Sequence, residues 1–171
     1  MSERGETARR LSRWAGSGVL ACALGFGMFY LLLFRRDNAA ATLDLAGVPM
    51  AQPGVFFHAT TFCRMTSDRV VVRGWAVRKG HGWPLTHSRV VMRLASGRTV
   101  ALDTAMLESQ KLADAIHALT HDQRIYYAAG FAASLNLETT DIDARGARLF
   151  LDWREPSVRA LLPLDCPKAA P

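Results

Sequence analysis

The sequence predicts a mainly β protein, an antiparallel β-sandwich with one inserted helix, preceded by a single transmembrane helix. Three observations predict it. An uncharged stretch of 21 residues, Trp14 to Phe34, stands near the N-terminus. Beyond it, short runs rich in β-branched and aromatic residues alternate apolar with polar side chains and are separated by turn-forming residues. One stretch, beginning at Thr104, repeats its apolar residues at helical spacing instead.

The first element is the span. Twenty-one residues at about 1.5 Å each match a hydrocarbon core of about 30 Å, and Trp14 and Tyr30 suit its interfaces. Arg35, Arg36 and Asp37 follow where a cleaved leader would carry small residues, so an uncleaved anchor is expected. Of the net charge of +6, residues 1–36 supply +4, with six arginines against two glutamates. That excess flanks the apolar stretch, where it reads as membrane topology; a nucleic-acid-binding face would concentrate it on the folded part. Arg4, Arg9, Arg10 and Arg13 precede the span and Arg35 and Arg36 follow it, a bias that places the N-terminus in the cytoplasm. The Arg- and Ala-rich composition suggests a bacterial inner membrane. The expected organisation is a cytoplasmic tail (1–13), the span (14–34), a linker (35–54) and a periplasmic domain (55–167). Ser17, Ala21 and Gly25 form a stripe of small residues four apart, which predicts packing against a partner's membrane helix or a second copy.

The linker is read from Pro49, Pro53, Gly47 and Gly54 and from its lack of periodicity. Cys22 lies in the span, which leaves Cys63 and Cys166 near the two ends of the domain, in a compartment that permits disulfides. A bridge between them is expected.

Strands are expected over Val55–Phe62 and Arg69–Val77, and then in a hairpin. There Val90, Met92 and Leu94 face Val100 and Leu102 across a Ser96-Gly97-Arg98 loop, with Met92 opposite Leu102. The helix follows from Thr104 with Asp103 or Thr104 as its cap and Met106, Leu107, Leu112, Ala115, Ile116 and Leu119 on one side. Strands resume at Gly130–Glu138, with Phe131, Ala133, Leu135 and Leu137 in phase, then at Ala147–Trp153 and Ala160–Leu164. The stretch from 103 to 130 is too long for a hairpin, so it is expected to cross between sheets or along an edge. Short strands in this number suggest a sandwich of immunoglobulin-like size. Trp75, Phe131 and Trp153 are expected in its packing.

The segments "VVVRGWAV", "SRVVMRLASGRTVAL", a helical stretch, "YYAAGFAASLNLE" and "GARLFLDW" together resemble a β-sandwich module of bacterial envelope and glycan-assembly proteins, over about residues 66–154. The resemblance implies a Gly-Trp-Ala that ends an early strand and a Gly-Phe that opens a later one. It also implies a role as an accessory or scaffold subunit of an envelope assembly that handles glycan.

Candidate binding residues cluster in the loop "RKGHGWPLTH", where an exposed Trp83 would stack on a sugar while Arg78, His81 and His87 hydrogen-bond its hydroxyls. Direct carbohydrate binding is therefore the alternative function. His117 and His121, four apart and followed by Asp122, have metal-site spacing but lack HExxH and further ligands. Asp141 and Asp143 fit an Asx-rich turn better than an acid–base pair. With no Gly-x-Ser-x-Gly elbow, the expectation is a binding protein with no cofactor and no metal rather than an enzyme, an unrecognised periplasmic hydrolase or metal-dependent enzyme being the third reading.

Overall fold

The computed structural model describes residues 3–37, 39–82, 87–140 and 142–166, and the chain divides into two compact units at residues 39 and 40. The first unit is a single helix, α1 (Glu3–Asp37). Its segment Ser17–Arg35 has mean hydropathy 2.0 and is long and apolar enough to cross a membrane. The helix overruns the expected 14–34 at both ends; proline is absent from it, and its flanks are rich in arginine, a good helix former.

The second unit is built from two antiparallel sheets. The five-stranded sheet has the order β1 (Thr42–Leu43), β5 (Thr99–Ala101), β4 (Arg89–Arg93), β8 (Arg148–Arg154), β9 (Arg159–Leu164). The four-stranded sheet runs β2 (Phe56–Met65), β3 (Arg69–Arg78), β7 (Gly130–Asn136), β6 (Asp103–Leu107). Two helices complete the unit, α2 (Gln110–Thr120) and the short α3 (Leu137–Thr140). One cluster of buried side chains draws on both sheets: Val70 and Val72 with Phe131, Ala133 and Leu135 from one, and Val90 and Met92 with Leu149, Leu151, Trp153 and Leu162 from the other. The alternation in the sequence selects these faces, because every second strand residue points the same way.

Cys63 and Cys166 are bridged, with Cα atoms 5.2 Å apart. The bridge joins β2, an edge of the four-stranded sheet, to the chain just after β9, an edge of the other. A bulge at Thr60/Phe62 lets Cys63 face inward together with Phe56, His58 and Thr60, although their sequence parity differs. His58 Nε2 lies 2.9 Å from the Pro163 carbonyl and ties the same two edges.

The two motifs Gly-Trp-Ala and Gly-Phe lie across from each other. Gly74 pairs with Phe131 and Trp75 with Gly130. A Cβ at Gly74 would collide with the Ala59 carbonyl and stand 2.7 Å from Phe131 Cζ, so the glycine makes room for the core ring. Trp75 is on the opposite face. It is half-buried against Val77, Ile116, Tyr126 and Ala129, beneath α2, and so packs outside the shared core that holds Phe131 and Trp153.

Several elements differ from expectation. The β4–β5 pairing sets Met92 opposite Val100, two residues from the expected register, with faces unchanged. The loop is Ala95-Ser96-Gly97, closed by Leu94 N–H to Arg98 C=O at 2.8 Å; Gly97, at φ +85, takes the left-handed position that ends such a loop. Residues 103–107 form β6 rather than the start of a helix, because all five pair with β7. The helix starts two residues beyond that strand, where Ser109 Oγ caps the Leu112 N–H. Crossing between sheets happens earlier than expected, at Leu102, between β5 and β6, where Thr104 Oγ1 accepts the Val90 N–H and donates to the Leu102 carbonyl. The final turn of the expected Gly130–Glu138 strand is α3, opened by Asn136 Oδ1 accepting the Glu138 N–H.

Residues 40–53, expected as linker, carry structure of their own. Thr42 and Leu43 pair with β5. Leu45 is buried with Val91, Phe150 and Leu161 on the outer face of the five-stranded sheet. Pro49 and Ala51 exchange backbone hydrogen bonds of 2.8 and 2.9 Å with Leu161 and so cover the β9 edge. The Pro and Gly content marks turns within this strap, which is why it lacks periodicity.

Candidate functional site

The loop between β3 and β4 joins one sheet to the other, and both of its stems dock on the start of the β8–β9 hairpin. Arg78 ends β3 and its Nη1 donates to Glu155 Oε2 at 2.8 Å; the pair is largely buried, with 19% and 4% of the two side chains exposed. Glu155 Oε1 accepts the Trp153 indole N–H at 2.9 Å. Arg78 is therefore engaged in a structural pair that also orients a core indole. At the other stem the His87 N–H donates to the Arg154 carbonyl at 3.2 Å, and Ser88 Oγ accepts the Arg154 N–H at 3.1 Å.

The loop base is also held from the α2 side. The Gly80 N–H is 3.1 Å from both Asp122 Oδ2 and Tyr126 Oη, and the Tyr126 hydroxyl donates to Asp122 Oδ2 at 2.6 Å. Burial pushes the Asp122 carboxyl up, but hydrogen bonds from Tyr126, Arg124 and Gly80 outweigh it and leave the carboxyl below its ordinary value. The Tyr126 phenol is raised, by burial first and by its bond to Asp122 second. Gly80 and Gly82 both have positive φ, so the chain turns there in a conformation that other residues avoid. His81 and His87 are exposed. Trp83 lies outside the described residues. The structure thus brings Arg78 and His87 to neighbouring positions on one hairpin, with Arg78 already engaged in an ion pair.

The remaining candidates resolve into structural roles. His117 sits edge-on to Tyr126, with ring centroids 5.8 Å apart. His121 is the left-handed cap of α2, with φ 53°, and its N–H closes on the His117 carbonyl at 3.0 Å. The helical geometry that would align the two imidazoles stops before the second. Asp143 holds Arg145 through both carboxylate oxygens, and its carboxyl is lowered to about 2 by that bond, which keeps it ionised and unsuited to proton donation. Asp141 lies outside the described residues. Along α1, Ser17, Ala21 and Gly25 are exposed.

A concentrated cluster of charge among the described residues of the second unit was not among the sequence candidates. Asp152, on the outer face of β8, is completely buried and meets three arginines. Arg154 Nε donates to Oδ2 at 2.8 Å, with its Nη2 2.7 Å from the same oxygen. Arg159 donates from Nε to Oδ1 at 2.9 Å and from Nη2 to Oδ2 at 3.1 Å. Arg89, directly across the ladder, has its Nε 3.9 Å from Oδ2. Burial raises the Asp152 carboxyl, and the bonds and charges of Arg159 and Arg154 more than reverse this, leaving it below the ordinary carboxylate value. The sequence signal was the phase: Arg89 and Arg93 on one strand, Asp152 and Arg154 on another, all pointing away from the core. Only the strand register turns that phase into a cluster.

Comparison with protein-family models, with curated proteins and with solved structures finds no match to this chain.

Proposed function

We propose that the chain is a single-span protein of a bacterial inner membrane that displays an immunoglobulin-like β-sandwich in the periplasm and acts there by binding. Its role is that of an accessory or scaffold subunit of a cell-envelope assembly. The observation that carries the reading is the Cys63–Cys166 bridge in a chain that also bears one apolar helix. Such bridges persist in oxidising compartments, and the arginines before the helix favour a cytoplasmic N-terminus. Gly-Phe opens β7, as the resemblance to envelope modules implies, whereas Gly-Trp-Ala lies within β3 rather than at its end.

Assembly through the membrane helix is the part of this reading that a pair of variants tests. Leucine at Ala21 fills the small-residue stripe, while Leu32→Ala, towards the other end, leaves it open. With both variants inserted equally, Ala21→Leu should reduce recovery of the partner or second copy in mild detergent, and Leu32→Ala should not. Equal recovery would make the helix a plain anchor.

A further inference from the structure

The cluster around Asp152 holds more positive charge than its structural task requires. A carboxylate offers about four acceptor sites. Arg154 and Arg159 between them already donate to both of its oxygens. Arg89 adds a third guanidinium whose buried Nε makes no hydrogen bond. Its presence is costly: burial and repulsion from Arg154 and Arg159 lower its affinity for its proton, against the attraction of Asp152. Asp44 also acts on Arg159, but its own Oδ1 is engaged by the Ala46 N–H. Three arginines thus face two carboxylates, and on the same sheet face Arg93 stands over the Phe150 ring at 5.3 Å.

The three arginine side chains keep about a third of their surface, with 31, 32 and 36% exposed for Arg89, Arg154 and Arg159. Each has donors beyond those it spends on Asp152. They are held in place by a buried anchor and by neighbouring strands, so little side-chain freedom would be lost on binding. The ladder register, extended by two residues from Arg89 and Asp152, sets exposed His87 opposite Arg154 at the rim of the same face.

We propose that Arg89, Arg154 and Arg159 form an oxyanion site on the outer face of the five-stranded sheet, one that takes a phosphate or sulfate group with Asp152 as its organising base. Arg89, which makes no hydrogen bond to Asp152, contributes its charge and the part of its side chain that stays exposed. The site does not depend on the envelope-subunit reading, and its ligand chemistry is shared by free phosphate and by a phosphate headgroup.

The test uses the full chain in uncharged detergent micelles and reads the thermal unfolding midpoint. Inorganic phosphate and sulfate are titrated against chloride at matched ionic strength, and in a separate arm phosphatidylglycerol is added to the micelles against a zwitterionic lipid. Arg89→Gln should fold with a midpoint in chloride no lower than that of the wild type, because Arg89 makes no hydrogen bond to Asp152 and its removal relieves repulsion from Arg154 and Arg159. The wild type should show a saturable rise with phosphate, and Arg89→Gln should weaken the response about tenfold or more. A rise seen with phosphatidylglycerol alone and lost in Arg89→Gln would support the same site with a headgroup as its source. Responses that are equal in wild type and variant in every arm would overturn the proposal. If Arg89→Gln does not fold, the Arg89 Nε–H resonance of the wild type decides: it should shift with phosphate and not with chloride, and an unmoved resonance would overturn the site.

Discussion

Replacing Asp152 with alanine should destabilise the protein by about 3 to 5 kcal/mol, the usual consequence of removing one partner from a buried ion cluster. The carboxylate is fully buried, so its loss leaves Arg89, Arg154 and Arg159 facing one another across the same strands. Chemical denaturation of wild type and variant at neutral pH measures the difference. Removing Arg89 as well should recover part of it, since the repulsion falls when one of three like charges goes. A loss no larger for Asp152→Ala than for an exposed control such as Asp143→Ala would mean that the cluster is loosely held. The pH dependence has a definite sign. The folded-state carboxyl is lowered from 3.8, so its contribution is present above that value and is lost as pH falls through the lower folded value. Asp68 and Asp143 are also lowered, to about 2, by partners near the surface, and contribute little.

Replacing Cys166 with serine should have an effect of similar size. The bridge spans 103 residues of sequence, and closing a loop of that length stabilises by up to about 4.7 kcal/mol on the chain-entropy model. It also fastens the two sheet edges, leaving the His58–Pro163 contact to hold that side when the bridge is lost. The unfolding midpoint of Cys166→Ser, and of wild type under reducing conditions, should fall together. A reduced wild type as stable as the oxidised one would show that the edges are held by packing alone.

The sequence made the faces of the strands legible and left their partners dark. Val90, Met92 and Leu94, and likewise Leu149, Leu151 and Trp153, point into the core as their alternation requires. The hairpin register was missed by two residues because parity is all that alternation fixes. The missing information was which residue adopts the left-handed turn position, and that is Gly97. At Thr104 to Leu107 the apolar positions suit a helix and a strand equally, and pairing with β7 decides. The strap at residues 40–53 was unreadable for a related reason: its order comes from covering Val91, Phe150 and Leu161 and the β9 edge, not from any period of its own.

For the candidate site the division is the same. A loop with two glycines at positive φ was visible in "GHG", and so was the bridge that closes the unit, from the number and placement of its cysteines. The fate of Arg78 was not visible, because Glu155, which claims it, lies 77 residues away in sequence. Asp152 and its arginines come from three strands and acquire meaning only when the ladder sets Arg89 beside the carboxylate.

The proposed function requires a membrane-anchored domain displayed outside the cytoplasm. A reporter that is active only after export, fused at the C-terminus of the full chain, tests it most directly. Strong activity is expected from that fusion and none from a cytoplasm-only reporter at the same position. The reverse pattern would contradict it, and would remove the oxidising compartment from which the role of the Cys63–Cys166 bridge is argued.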